Sequence, residues 1–291
     1  MSDEITYEVS FSELSTYRRC RLSHHLGYRE RWQRPQAPMS ALSKGTAWHE
    51  CMEIRYQMLT NDADEHDITG YVMDRVIQPA YSIDGELGEL LEWMYSGYVE
   101  FYGRDSDWQV KGTEHQFKVP LARFRTPSGE MATIVFKARC DLSVWDTGAG
   151  RPGLWIVDHK SHAQLPQDKA FEFVDQFALQ VWCARKAGLK VAGSIYNASL
   201  TKKNKVKPQP LENRFRRIRM VWADAELSSI AKNAALQAME ICANQLPVTR
   251  TYEADACKWC DFRDPCTASR RGRDIEEYLR EDGFTVNRER H

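Results

Sequence analysis

The apolar positions change period along this chain. In "ELGELLEWMYSGYVEFYG" they fall at Leu87, Leu90, Leu91, Met94, Tyr98 and Phe101, a helical repeat that predicts these side chains in a core. Upstream, "SFSELSTYRRC" opens with a capping box, Ser10 with Glu13, and predicts an earlier helix. "GTAWHECMEIRYQML" predicts another, with His49 and Glu53 one turn apart on one face. "NDADEHD" reads as an acidic loop. From residue 114 the period becomes two. In "TIVFKARCDLSVW", Ile134, Phe136, Ala138, Cys140, Leu142 and Val144 share one face, and Lys137, Arg139, Asp141 and Ser143 share the other. "DTGAGRPG" is a turn, and "LWIVDHKS" follows as the second strand of a hairpin, Asp158 and Lys160 on one face, Val157 and His159 on the other. "FEFVDQFALQVWCARKAG" predicts a helix closed near Gly188, "VAGSIYNASL" and "FRRIRMVW" predict two strands, and "DAELSSIAKNAALQAMEICANQ" predicts a long helix stopping before Pro247.

Composition narrows the class. The chain has 291 residues, 42% hydrophobic, with net charge −1, enough for one large domain or two small ones with a real core. The opening "MSDEITYEVS" lacks an apolar run, and no stretch reaches the length of a membrane span, so the expectation is a soluble, cytoplasmic protein. Eight cysteines in such a chain point to metal rather than to a secreted disulfide framework.

Three of them stand at C-x2-C-x5-C spacing in "CKWCDFRDPC": Cys257, Cys260 and Cys266. A thiolate site normally takes four ligands. Cys140 lies on an apolar strand face and Cys242 continues the stripe of Leu227, Ile230, Ala234, Ala238 and Ile241. Cys51 and Cys183 fall inside helices, so all four fit a core. Cys20 falls where the first helix ends, in a sequence poorly suited to a core, and is the candidate fourth ligand. The spacing suits tetrahedral zinc or an iron–sulfur cluster equally.

Asp141 and Asp158 lie on adjacent strands of the predicted hairpin. Two convergent carboxylates can hold Mg²⁺ or Mn²⁺, and a neighbouring Lys160 can orient water or neutralise a phosphoryl charge. A single D-x-K on a surface hairpin is most often a solvated ion pair. The order of a helical His49, an Asp, a D-x-K and a following helix with Gln176 is less ordinary.

That ordered set, "GTAWH", "KARCD", "IVDHK" and "DQFALQVWCARKAG", resembles the motifs of RecB-type nucleases in the PD-(D/E)xK superfamily. "YRRC" with "CKWCDFRDPC" resembles the iron–sulfur branch of that family, which includes the CRISPR-associated RecB-type exonucleases, their phage relatives and the AddB nuclease domain. The resemblance spans about residues 10 to 270. It implies an α/β fold: a PD-(D/E)xK core, a central mixed sheet flanked by helices, with a helical N-terminal part and an iron–sulfur C-terminal end. One nuclease domain would span 1–291, divided into a helical part (10–110), the core (111–222), a helix and cysteine clasp (223–270) and a tail (271–291). The implied metal residues are His49, Asp141, Asp158 and the carbonyl of His159. Lys160 would act on water or phosphate, and Gln176 would match the glutamine of the following helix. Cys20, Cys257, Cys260 and Cys266 would hold a 4Fe–4S cluster. The implied activity is a metal-dependent DNA exonuclease acting on single-stranded ends with 5′ preference, with CRISPR-adaptation or recombination proteins as partners. The alternative is a non-catalytic DNA-binding module with a structural four-thiolate zinc. The chain departs from the family's common pattern at Ala138 for Gly, Gln180 for Tyr and Arg21 for Pro.

The small net charge hides segregation. Residues 201–219 contain eight Lys/Arg and one Glu, and "RRCRLSHHLGYRERWQR" adds six Arg. Both stretches are candidate phosphate contacts, and Tyr28, Trp32 and Trp259 are candidate base-stacking or core residues.

Overall fold

The computed structural model describes residues 5–35, 41–148, 150, 152–167, 174–204, 207–251 and 253–287, with side chains at all but residues 41 and 42. The chain divides into two compact units that it enters alternately. One comprises Met1–Pro35, Lys118–Lys137 and Ala231–His291; the other comprises Gln36–Phe117 and Ala138–Ile230.

In the first unit, strand β1 (Ile5–Ser10) runs parallel to the first half of β4 (Met131–Asp146), from Ile5 opposite Ala132 to Ser10 opposite Lys137. Helix α1 (Phe11–Arg19) starts as the capping box requires, the Ser10 side chain accepting from the Glu13 amide at 3.3 Å. It stops at Cys20, whose backbone is extended, and α2 (Arg21–His24) begins at once. Leu26, Trp32, Phe262, Leu279 and Phe284 form a small apolar cluster. The short helices α9 (Ala254–Lys258), α10 (Arg263–Arg270) and α11 (Ile275–Glu281) carry Cys257, Cys266 and the cluster's Leu279, with Cys260 between the first two helices.

The second unit holds the mixed sheet. The second half of β4 pairs antiparallel with β5 (Gly153–His162), from Leu142 opposite Val157 to Asp146 opposite Gly153. β5 pairs in parallel with β6 (Val191–Leu200), and β6 pairs antiparallel with β7 (Phe215–Met220). Helix α7 (Asp175–Lys186) makes the crossover between the two parallel strands, which need such a connection. Its Phe177 packs with Tyr196 and Ala198 on one face of the sheet. On the other face, α3 (Ala41–Thr60) and α6 (Gly85–Tyr102) bury Trp48, Met52, Tyr56, Leu91, Tyr95 and Tyr98 against Leu142, Val144, Val157 and Ile195. This is the α/β arrangement of a central mixed sheet flanked by helices. β3 (Trp108–Arg125) pairs with β4, and both strands run through the two units.

Three features differ from the sequence expectation. Phe101 is 38% exposed rather than core, because α6 turns that position outward at its last turn. The acidic stretch is not all loop: α4 (Glu65–Val72) starts in it, with the Asp64 side chain accepting from the Asp67 amide at 2.9 Å. Acidic residues there cap the helix and complement its dipole. β1 was not foreseen, since its pairing partner lies far along the chain. No helix among the described residues is long and apolar enough to cross a membrane.

Candidate active site

The β4–β5 ladder ends at Leu142 and Val157. One residue further, Asp141 turns its carboxylate to the neighbouring strand. Asp141 Oδ2 accepts from the His159 main-chain N–H at 2.6 Å and lies 3.1 Å from His49 Nδ1 on α3. Burial works to raise the pKa of this carboxyl. The hydrogen bond and charge of His49, with His159 and Lys160 nearby, prevail and hold it at about 2.

Asp158 points to the α7 side of β5 and is 3% exposed. Its Oδ1 accepts from Gln180 Nε2 at 3.0 Å, and the same nitrogen donates to the Arg139 carbonyl at 2.7 Å. Its Oδ2 forms an ion pair with Lys160 Nζ but takes no directed hydrogen bond, and Gln180 Oε1 beside it has no partner either. Burial pushes the Asp158 pKa up, and the Asp141 charge adds to that against the pull of Lys160. Two neighbouring carboxyls are thus driven apart in acidity by their surroundings, a pattern common at functional sites.

A divalent ion fits this donor set. Mg²⁺ is held through one or two carboxylates and otherwise by water and substrate phosphates, not by an all-protein cage. Asp141 and Asp158 would supply those carboxylates, and Asp158 Oδ2 takes no directed hydrogen bond. Among the described residues no group of three or more His, Cys, Asp or Glu forms a ready cage. His49 turns Nδ1 to Asp141. The ring of His159 is 2% exposed and its Nδ1 meets Asn197 at 2.8 Å, so only its main chain belongs to the carboxylate site. Glu53 accepts from Gln57 Nε2 at 2.8 Å on its own helix.

Gln176 lies in the first turn of α7 and does not reach either carboxylate; Gln180, one turn later, does. Both glutamines fall on one helical face, since residues four apart share it, and that spacing is the signal for the second. His162 contacts the Tyr196 hydroxyl, two positions beyond Lys160 on the same strand face, and was likewise not singled out from the sequence.

The basic stretch 201–219 separates into two kinds of charge. Arg214 is 7% exposed with its guanidinium 3.9 Å from the Trp93 ring centroid. Arg217 pairs with Asp105 at 2.6 Å, and Arg219 pairs with Asp146 at 2.7 Å. These three arginines each hold a partner within the fold, so their charge is not simply a solvated basic run. Lys202 and Lys207 are exposed, and Lys203 donates to the Glu89 carbonyl at 2.9 Å. Lys205 lies outside the described residues. In the other basic stretch Arg21 pairs with Glu240 at 2.9 Å and Arg29 donates to the Ile241 carbonyl at 2.6 Å. Trp32 is buried in the small cluster, Tyr28 stacks on His24, and Trp259 is 79% exposed.

The cysteines also fall into two kinds. Cys51, Cys140, Cys183 and Cys242 are buried. Burial drives all four thiol pKa values up, to about 12 at Cys183 and Cys242. Such thiols are inert. Cys20, Cys257, Cys260 and Cys266 are half-buried, and all belong to the first unit. Burial raises the Cys266 thiol pKa, Arg250 lowers it, and the charges of Cys20, Cys257 and Cys260 raise it further. Among the described residues no group of three or more His, Cys, Asp or Glu is placed to hold a metal ion there. Cys257 Sγ lies 3.6 Å from the Thr251 carbonyl and Cys260 Sγ 3.8 Å from Ser23 Oγ.

Residues 8–267 match the family model of the PD-(D/E)XK nuclease superfamily. No curated protein matches the chain. Among solved structures, one titled "Crystal structure of SSO0001" is similar at 13% identity, covering 89% of this chain and 96% of that one, with a TM-score of 0.29.

Proposed function

The chain belongs to the PD-(D/E)XK nuclease superfamily, and from that premise we propose that it is a DNA exonuclease whose site is Asp141, Asp158 and Lys160. Superfamily membership implies a nuclease that hydrolyses phosphodiesters with Mg²⁺ or Mn²⁺. The observation that carries the assignment is the pair of carboxylates at the open end of the β4–β5 ladder, one with a buried oxygen unused by any directed hydrogen bond, beside a lysine. Asp141, Asp158 and the His159 carbonyl would hold the ion. When bound, it would lower the pKa of a coordinated water and stabilise charge on the phosphate. His49 orients Asp141 from α3. Gln180 fixes the Asp158 carboxylate plane, in the part that the sequence assigns to Gln176. Lys160 holds a compact positive charge where negative charge grows on the phosphate, and can donate a hydrogen bond to the attacking water.

Single-stranded DNA ends as substrate, with 5′ polarity, are supported by the resemblance of the ordered motif set to the RecB-type exonucleases. Cys20, Cys257, Cys260 and Cys266 are proposed to hold a 4Fe–4S cluster, supported by their shared half-burial and mutual influence against the deep burial of the other four. CRISPR-adaptation or recombination proteins remain proposed partners on the same resemblance. The test uses anaerobically purified protein and strands labelled at either end. Metal-dependent release of labelled 5′ ends, lost in Asp158→Ala while DNA binding persists, is the expected result. Cleavage by Asp158→Ala at the wild-type rate refutes the site. Stoichiometric zinc without iron refutes the cluster and leaves the nuclease assignment standing.

A further inference from the structure

Behind the carboxylates, on the α3–α6 side of β5, lies a closed chain of buried polar groups. Asn197 Nδ2 is 2.7 Å from Tyr98 Oη and 2.8 Å from His159 Nδ1. Tyr98 Oη is 2.8 Å from Tyr56 Oη, and the Tyr56 hydroxyl donates to Asp105 Oδ2 at 2.7 Å. Arg217 donates to Asp105 Oδ1 at 2.6 Å, to Tyr98 Oη at 2.8 Å and to Asn197 Oδ1 at 3.4 Å. Its guanidinium lies between the rings of Tyr102 and Trp108, at 3.6 and 3.7 Å from their centroids. Asn197 is 0% exposed and Tyr56 1% exposed.

The directions of donation are fixed. Arginine only donates and an aspartate only accepts. The Tyr56 proton goes to Asp105, so the Tyr98 proton goes to Tyr56. Asn197 faces its oxygen to Arg217, so its two amide protons go to Tyr98 and to His159 Nδ1. His159 therefore accepts at Nδ1 and carries its proton on Nε2. The ring held this way stacks on Tyr56 at 5.4 Å and stands edge-on to His49 at 6.5 Å. The His159 main-chain N–H and His49 are the two groups that hold Asp141 Oδ2. His159 is also the residue between Asp158 and Lys160.

We infer that Asn197 and Arg217 are positioning residues of the nuclease site, acting through the His159 ring to set the strand that carries Asp158 and Lys160. A chain of buried polar groups stabilises no better than an apolar core of the same shape, but it specifies one orientation when every member is satisfied. Here the orientation specified is that of the one residue whose main chain holds Asp141 Oδ2 and whose ring is held by the buried chain on the other face of the strand. The inference rests on the nuclease reading and goes beyond it.

The test compares Asn197→Leu and Arg217→Lys with Leu91→Ala, a cavity variant in the same core whose side chain makes no hydrogen bond to these groups. Nitrogen-15 spectra of the imidazoles, with the His159 signal identified by its loss in His159→Gln, should show the Nε2–H form in the wild type and a tautomer mixture in Asn197→Leu. At saturating Mn²⁺, kcat on labelled single strands should fall about 10- to 100-fold in Asn197→Leu and about 10-fold in Arg217→Lys, with KM for DNA unchanged, as for other partners that orient metal-site residues. Leu91→Ala should lose melting temperature and keep kcat. Equal kcat loss in Leu91→Ala at equal destabilisation, or full kcat in both network variants, overturns the positioning role. So does an Nδ1–H tautomer in the wild type. If Asn197→Leu does not fold, Arg217→Lys and the wild-type tautomer decide the matter. A wild type that cleaves no DNA under any divalent ion refutes the nuclease reading instead, and this inference falls with it.

Discussion

On one face of β5 stand Asp158 and Lys160; on the other stand Val157 and His159. Both faces are polar at the same level of the strand, and both polar groups are deeply buried. On the His159 side donors and acceptors are matched from Arg217 through to the ring. On the Asp158 side a carboxylate oxygen and the Gln180 carbonyl oxygen are left without a directed hydrogen bond. A satisfied buried network holds shape, whereas spare buried capacity costs stability and persists where something else is to be bound. A related contrast separates Arg217 and Arg219, each paired with an aspartate, from the exposed Lys202 and Lys207, and the four buried thiols from the four half-buried ones.

The largest effect should come from Asp158→Asn. Cleavage at saturating Mg²⁺ or Mn²⁺ is expected to fall by about 10³-fold or more. The melting temperature should be no lower than in the wild type, because a carboxylate buried beside Asp141 has been removed. A lower melting temperature would place Asp158 with the structural groups and erase the contrast.

Next is Cys20→Ala, expected to abolish bound iron and its visible absorbance. Closing a loop between residues 20 and 257 constrains the unfolded chain by an upper bound of about 5 kcal/mol, by analogy with disulfides. Cys183→Ala should keep the full iron content. Iron retained in the first and lost in the second would reverse the division of the cysteines.

Tyr98→Phe tests the rear of the strand. It leaves an Asn197 amide proton and an Arg217 donor without an acceptor and should cost about 1–3 kcal/mol in urea unfolding. A change near zero would mean that the rear network has slack and does not differ from the front.

Neutralising Lys202 and Lys207 together should leave stability unchanged and reduce the slope of log affinity against log salt by up to about two, one for each phosphate contact removed. An unchanged slope would show these lysines to be only solvated.

The smallest effect concerns pH. The Glu8 carboxyl is held below its ordinary pKa by its hydrogen bond to Lys118, against burial and with help from Lys137. A lowered folded-state pKa gives stability that is present above the ordinary glutamate range and is lost as pH falls through the lowered value. Wild type and Glu8→Gln should therefore differ slightly near neutral pH and converge in acid. A difference that grows in acid would be incompatible with this pairing.

Local pattern carried much of this. The capping box at Ser10, the period-two stretch in β4, the hairpin to β5 and the opposed faces of Asp158 and His159 follow from side-chain spacing, because helices and strands repeat at 3.6 and 2 residues whatever surrounds them. That Asp141 and Asp158 lie on adjacent antiparallel strands was legible for the same reason, and so was the lesser burial of Cys20 beside the cysteines of helix and strand interiors. Other features depend on which distant segments meet. β1 is a strand because residues 132–137 lie alongside it. Gln180 rather than Gln176 touches Asp158 because of where along its length α7 passes that level of β5, a matter of packing and not of period. Arg214, Arg217 and Arg219 read in sequence as part of one basic run with Lys202, Lys203 and Lys207. Arg214 and Arg217 are drawn in, and the exposed Arg219 is paired, by Trp93, Asp105 and Asp146, residues that only the tertiary structure brings beside them, because a buried charge left alone is costly.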